Sequence, residues 1–201
     1  MRSYVLKKIC GTPDWSSIDV MPIDNLHWTE PPAPVSAQAQ LCWDDEAIHV
    51  HLSAQEAHIR AEHTGLLDSV CEDSCLEFFL RPGDDLRYFN IEFNPNCALY
   101  LGYGTCMPEL TRLIVQDQQE IFQPCAKRTA DGWEIFYRVP FAFIRRFFPD
   151  FAPTVGTAMY GNCYKCGDLT EKPHYLAWNP MDPEVVQFHN PARFGRLILG
   201  D

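Results

Sequence analysis

Residues 73–94 read DSCLEFFLRPGDDLRYFNIEFN. Two strand-length runs flank Arg81-Pro82-Gly83-Asp84-Asp85, whose proline and glycine favour chain reversal. Successive side chains of a strand point to opposite faces. The first run therefore sets Leu76, Phe78 and Leu80 on one face and Cys75, Glu77 and Phe79 on the other. The second sets Phe89, Ile91 and Phe93 on one face and Tyr88, Asn90, Glu92 and Asn94 on its opposite. Each run can turn an apolar face to a core. The row Tyr, Asn, Glu, Asn is unusual for an exposed strand, where Thr, Lys and Arg are commoner, and suits the hydroxyls of a sugar: Asn donates and accepts, Glu accepts.

The same alternation continues on both sides of this hairpin. Residues 4–10 read as an edge strand. Residues 11–35 hold Trp15, Asp19, Asp24, Trp28 and several prolines without periodicity, as a segment wrapping the core would. Proline geometry makes 30–34 extended. Residues 38–43 and 47–53 form a hairpin around Asp44-Asp45-Glu46, and 55–72 read as a loop with a helical turn. After the central hairpin, 98–104 is a strand and 105–118 is irregular. Residues 120–128 and 133–139 pair around Ala130-Asp131-Gly132. Pro140 suits the first turn of the one short helix, PFAFIRRFF. Residues 157–165 form a strand, 166–193 a Pro-rich aromatic loop, and 194–199 a closing strand. Many short strands with turn signals predict an all-β fold: an antiparallel, jelly-roll-like sandwich with one short helix, in a single domain over residues 1–201.

Composition narrows the function. The chain has 201 residues, 46% hydrophobic, with a formal net charge of −11, enough for one sizeable core and without the basic stripe of a nucleic-acid binder. No apolar run is long enough to span a bilayer, so no membrane partner is expected. The start, MRSYVLKKICG, lacks an apolar leader core and a small-residue cleavage site. Nine cysteines, an odd number, suit reduced thiols. Together these favour a cytoplasmic setting, or an extracytoplasmic one if a leader precedes the given sequence. Cys42, Cys75, Cys97 and Cys163 fall in strand-like runs, where free cysteine acts as a small buried hydrophobe.

Four features, in order, carry a resemblance to the family 9 carbohydrate-binding modules. They are the Trp/Asp segment from Asp14-Trp15 through Trp28, the strand-turn-strand LCWDDEAIHVHL, the DSxxEFF strand Asp73–Phe79, and Phe188-His189-Asn190-Pro191-Ala192-Arg193-Phe194-Gly195. The resemblance spans nearly the whole chain. It implies a jelly-roll sandwich that binds a mono- or oligosaccharide end between aromatic side chains, without catalysis, with structural calcium as a further expectation. Residue by residue, Glu77 matches the family's acidic hydrogen-bonding position, and Asn90 and Glu92 fall where the family has polar sugar-binding groups. Phe188 matches one wall of the aromatic clamp, and Trp178 also matches a family tryptophan and could supply a platform. The other clamp wall is a Trp just before the DSxxEFF strand, where this chain has Val70-Cys71-Glu72. Tyr88, Asn162 and Tyr164 are further carbohydrate-binding candidates.

Two other readings stand beside it. Glu77 and Glu92 on facing strands could serve a glycoside hydrolase, given a separation of about 5–5.5 Å for retention or about 6.5–9.5 Å for inversion. A flat apolar patch in place of a groove would instead mark a protein-interaction scaffold. Weaker constellations carry bland expectations. Cys163-x-x-Cys166 and Cys71-x3-Cys75 read as coincidental thiols, His49 and His51 as solvated, and Asp44-Asp45-Glu46 as an acidic turn that could touch calcium.

Overall fold

The computed structural model describes residues 1–29 and 34–201. Apart from Pro34, the extended run expected at 30–34 lies outside them. The strands are β1 (Ser3–Lys8), β2 (Met21–Ile23), β3 (Asn25–His27), β4 (Ser36–Trp43), β5 (Ala47–Gln55), β6 (Cys75–Arg81), β7 (Tyr88–Phe93), β8 (Leu99–Gly104) and β9 (Thr111–Arg112). After helix α1 (Gln118–Phe122) come β10 (Cys125–Arg128) and β11 (Gly132–Pro140). Helix α2 (Phe141–Ile144) is followed by β12 (Ala158–Cys166), β13 (Tyr175–Ala177) and β14 (Gly195–Leu199).

All-β is the right class, but the sheet is mixed and curled. Its path runs β10-β11-β5-β4-β1-β14-β12-β6-β7-β8-β9, with β13 on β12 and β3, and β2 on β4. The departure from antiparallel pairing is β1. Residues Ser3 to Leu6 pair in parallel with Arg196 to Leu199, and Lys7 and Lys8 then pair in parallel with Cys42 and Trp43. The expected edge strand is therefore an interior strand that hands the sheet from one half to the other. Its alternation, with Tyr4 and Leu6 buried, reports only which face is inside. Its partners lie far along the chain, so local pattern says nothing of them.

The core lies between the two halves. Leu41, Val50, Leu52 and Ile135 from one meet Leu76, Phe78, Leu80, Phe89 and Ile91 from the other. The assigned faces of the 73–94 stretch are as the alternation predicts. Helix α2 forms after Pro140 and closes one end, where Phe143 and the following Phe147 and Phe148 pack around Phe89 at ring distances of 5.4, 5.2 and 5.7 Å. A second short helix, α1, replaces the first half of the strand expected at 120–128. Its residues Gln-Gln-Glu are good helix formers, and the turn ends at Gln123 in the left-handed region. Gly132 is required by close approach: a Cβ there would sit 1.9 Å from the Ala54 carbonyl oxygen across β5–β11.

The opposite face of β6, β7 and β12 is also covered, so β6 and β7 are buried throughout. A second cluster there holds Phe79, Tyr88, Tyr164, Phe188 and Phe194, roofed by the loop after β12. The bland expectation for two histidines is overturned. His49 Nε2 lies 2.7 Å from Asp44 Oδ2, and His51 is held between Gln40 and Glu134 at 2.9 Å on each side. Asp44 also accepts the backbone N–H groups of Glu46 and Ala47, so its carboxylate is occupied by its own turn. No helix of the described residues is long and apolar enough to cross a membrane.

All nine cysteines are free thiols. Cys10 and Cys125 are exposed, whereas Cys42, Cys75, Cys163 and Cys166 are buried. Burial pushes the Cys42 and Cys75 thiols up to about 12. At pH 8 about one such thiol in ten thousand is ionised, and only the thiolate is nucleophilic. Native-state alkylation followed by peptide mass spectrometry should therefore label Cys10 and Cys125 first. The four buried thiols should react only after denaturant is added; prompt native labelling of Cys75 would refute this.

Candidate functional site

Between the covered sheet face and its roof lies a cavity of about 460 Å³, a size typical of small-ligand sites. Its floor is the polar row of the central hairpin. The Pro82-Gly83 turn sets the register in which Glu77 stands directly opposite Glu92, and Phe79 opposite Asn90. Asn90 Nδ2 donates to Glu92 Oε1 at 2.8 Å. Asn90 Oδ1 is buried without a hydrogen-bond partner among the described residues. An unpaired buried acceptor costs about 1–3 kcal/mol, so it marks a position where a donor belongs.

Both floor carboxyls are held above the usual carboxylate range. For Glu92, burial dominates and pushes the group up to about 7, against the lowering hydrogen bond from Asn90. For Glu77, burial and then the neighbouring Glu92 charge act in the same direction, and the Cys166 thiol, which donates to Glu77 Oε1 at 2.9 Å, only partly offsets them. A protonated carboxyl both donates and accepts, as does a sugar hydroxyl.

The walls are aromatic. Trp28, just past β3, lies 5.5 Å from Phe188 and 5.9 Å from Tyr175, ring centre to ring centre. Trp28 Nε1 donates to the Asp182 carbonyl at 3.2 Å, which fixes its indole. Tyr100 of β8 lines another side, with the Arg112 guanidinium 4.5 Å from its ring centre.

Of the eight residues expected from the sequence, the structure brings four to the cavity: Glu77, Asn90, Glu92 and Phe188. The other four stand behind them. Tyr164 stacks beneath Phe188 at 4.1 Å and 13°, and its hydroxyl donates to the Phe188 carbonyl at 3.2 Å. The Tyr88 hydroxyl shares a hydrogen bond of 2.8 Å with His189 Nδ1, and it is His189 that lines the cavity. Asn162 joins β12 to the roof: its Nδ2 donates to the Asn179 carbonyl, and its Oδ1 accepts from the Asn179 N–H. Trp178 lies in the main core rather than at the cavity. Its ring occupies the space a Cβ at Gly195 would need, at 2.3 Å, so it is a plug that the following Phe-Gly pair accommodates.

Val70, at the position of the absent clamp tryptophan, is fully buried in a short 3-10 turn, Val70–Glu72. Its neighbours Ser69 and Cys71 reach the cavity instead. Sequence reasoning missed Trp28, Tyr100, Tyr175 and His189 as site residues. The one available signal was a tryptophan in a segment with no periodicity. Trp28 itself adopts φ +57°, a conformation uncommon for a bulky side chain.

The sequence model of carbohydrate-binding family 9 matches residues 12–199. The chain belongs to carbohydrate-binding family 9. A candidate carbohydrate-binding protein from Bacteroides uniformis, known from its crystal structure, shares 28% identity and superposes with a TM-score of 0.84, over 98% of this chain and 99% of that one. Two structures of a family 9 module from Caldicellulosiruptor kristjanssonii share the fold. The complex with cellotriose is 15% identical with a TM-score of 0.71, covering 99% of this chain and 94% of that one. The complex with glucose is 16% identical with a TM-score of 0.70, covering 100% and 97%. No curated protein matches the chain. In this family 9 protein Glu77 lies on the cavity floor, and the aromatic walls are built from Trp28, Phe188, Tyr175 and Tyr100.

Proposed function

We propose that this family 9 protein binds a carbohydrate end in the cavity, without catalysis. The observation that carries the reading is the unpartnered, buried Asn90 Oδ1 on a polar floor beneath aromatic walls. A pyranose presents apolar C–H faces to Trp28 and Phe188 and a rim of hydroxyls to Glu77, Asn90 and Glu92. The complexes of the Caldicellulosiruptor kristjanssonii modules with glucose and cellotriose support the ligand class. A carboxyl that carries its proton donates to a sugar oxygen as well as accepting from a hydroxyl, which suits a binding role.

Calorimetric titration with mono- and oligosaccharides, run with and without chelator, tests the proposal and the structural-calcium expectation together. Saturable binding is expected. Trp28→Ala should weaken it about ten- to hundred-fold, or roughly 1.4–2.7 kcal/mol, with folding retained because Trp28 is only half-buried. Glu77→Gln should also weaken it. Wild-type affinity in Trp28→Ala would remove the aromatic wall from the reading, and no saturable binding across the panel would shift it to an interaction scaffold.

A further inference from the structure

The cavity floor holds a second arrangement, which shares Glu77 with the proposed sugar contacts and adds two thiols to it. Cys75 and Cys166 are cross-strand partners on β6 and β12, and Glu77 lies two residues along β6 on the same face. The two Sγ atoms and a carboxylate oxygen of Glu77 all lie within 4.8 Å of one another. All three residues are buried, and each is held on a paired strand rather than on a loop. Glu77 and Cys166 line the cavity, while Cys75 is buried in the second cluster.

We infer that Cys75, Cys166 and Glu77 form a site for a thiophilic divalent cation of the Zn²⁺ class, with its fourth position open to the cavity. Zn²⁺ takes sulfur at about 2.3 Å and carboxylate oxygen at about 2.0–2.2 Å in a tetrahedron. Ligand atoms then stand roughly 3.5–3.8 Å apart, so the present group needs only small side-chain rotations. Two sulfurs exclude Ca²⁺ and Mg²⁺, which take oxygen ligands. Three ligands with one open position is the arrangement of zinc sites that exchange a small molecule.

Among the described residues the lining sets no cation against a metal ion: Glu77, Glu92 and Asp168 face the cavity, and no Lys or Arg lines it. Binding would release the protons of both thiols and any proton on Glu77 to solvent, since the ligands are thiolate and carboxylate. This inference does not rest on sugar recognition, because the ligand set is complete without a sugar.

The test uses the full chain, chelator-treated and kept reduced with a phosphine, in the absence of any sugar. Titration with Co²⁺ should give one equivalent of binding, with sulfur-to-cobalt charge-transfer absorption and the intense visible bands of a four-coordinate ion, reversed by Zn²⁺. Cys166→Ser should lower the affinity by at least about a hundred-fold, beyond what loss of an outer-shell partner does. Glu77→Gln should keep the charge-transfer bands and shift the visible ones, which keeps the test valid even if a cysteine variant fails to fold. Cys10→Ser/Cys125→Ser should bind as the wild type does. Absence of the bands in the reduced wild type, or bands of unchanged position and strength in both Cys166→Ser and Glu77→Gln, would overturn the inference. A failed sugar titration alongside intact Co²⁺ binding would count against the proposed function alone.

Discussion

Glu56→Ala is expected to cost about 3–5 kcal/mol of folding stability, the range for breaking a buried ion pair from one side. Glu56 and Lys165 have side chains 2% and 0% exposed, with Oε1 and Nζ 3.2 Å apart. The ammonium has three protons and three acceptors: Glu56 Oε1, the Cys166 carbonyl at 2.8 Å and His174 Nε2 at 2.8 Å. His174 must be neutral to accept, and its Nδ1–H donates to the Lys172 carbonyl at 2.8 Å. Burial, then the Lys165 charge, lowers its pKa to about 4. Glu56 in turn accepts from Trp133 Nε1 and Ser74 Oγ, both at 2.8 Å. Alanine there leaves a buried ammonium and two buried donors short of partners. Replacing both charges, as Glu56→Gln with Lys165→Met, should recover most of the loss, because isosteric removal of a whole pair is close to neutral. Urea unfolding of the two singles and the double gives the coupling directly. A loss below about 1 kcal/mol for Glu56→Ala would show that water reaches the ammonium.

The second large effect is at Asp73, whose side chain is fully buried at the head of β6. Its carboxylate accepts from the backbone N–H groups of Glu62 and His63 at 3.0 and 2.9 Å, from Asn94 Nδ2 at 2.8 Å, and from Arg60. Asp73→Ala should cost about 3–5 kcal/mol, since it strands an Arg60 hydrogen bond and three N–H donors. The pH dependence has a definite sign. Burial raises the Asp73 pKa, but the N–H groups of His63 and Glu62 and the Asn94 amide outweigh it, leaving the group below 3.8. Below that value the unfolded chain binds the proton more readily than the folded one. The stability contributed by Asp73 is therefore complete above pH 3.8 and is lost as pH falls through the folded value. Asp73→Asn should lack this component, so its melting temperature should fall less steeply than the wild type's below about pH 3.8. Parallel slopes would place the acid sensitivity elsewhere.

These two residues also show how much could be read beforehand. Asp73 and Ser74 belong to a motif that marks the strand, yet their partners, Arg60, Glu62 and Glu56, sit in a loop with no pattern of its own. Glu77, Asn90 and Glu92 could be grouped from sequence because one tight turn fixes their register. Trp178 could not be placed. A lone tryptophan in a Pro-rich loop carries no periodicity, and what decides its burial is a glycine seventeen residues later that leaves room for its ring. Nor could Cys75 and Cys166 be brought together: the adjacent Cys163, nominally part of the same C-x-x-C, faces the main core instead.

By itself the sequence determined the all-β class, the two faces of the central hairpin and the acidic and amide groups of the floor. Each of these follows from a period of two and a turn a few residues long, which are local properties of the chain. The tertiary structure decided that β1 lies inside a mixed sheet, that Trp28 rather than Trp178 walls the cavity, and that two distant thiols meet beside Glu77. Those depend on which strands pair and what covers them. That choice comes from burying apolar surface across the whole chain, and no local pattern records it.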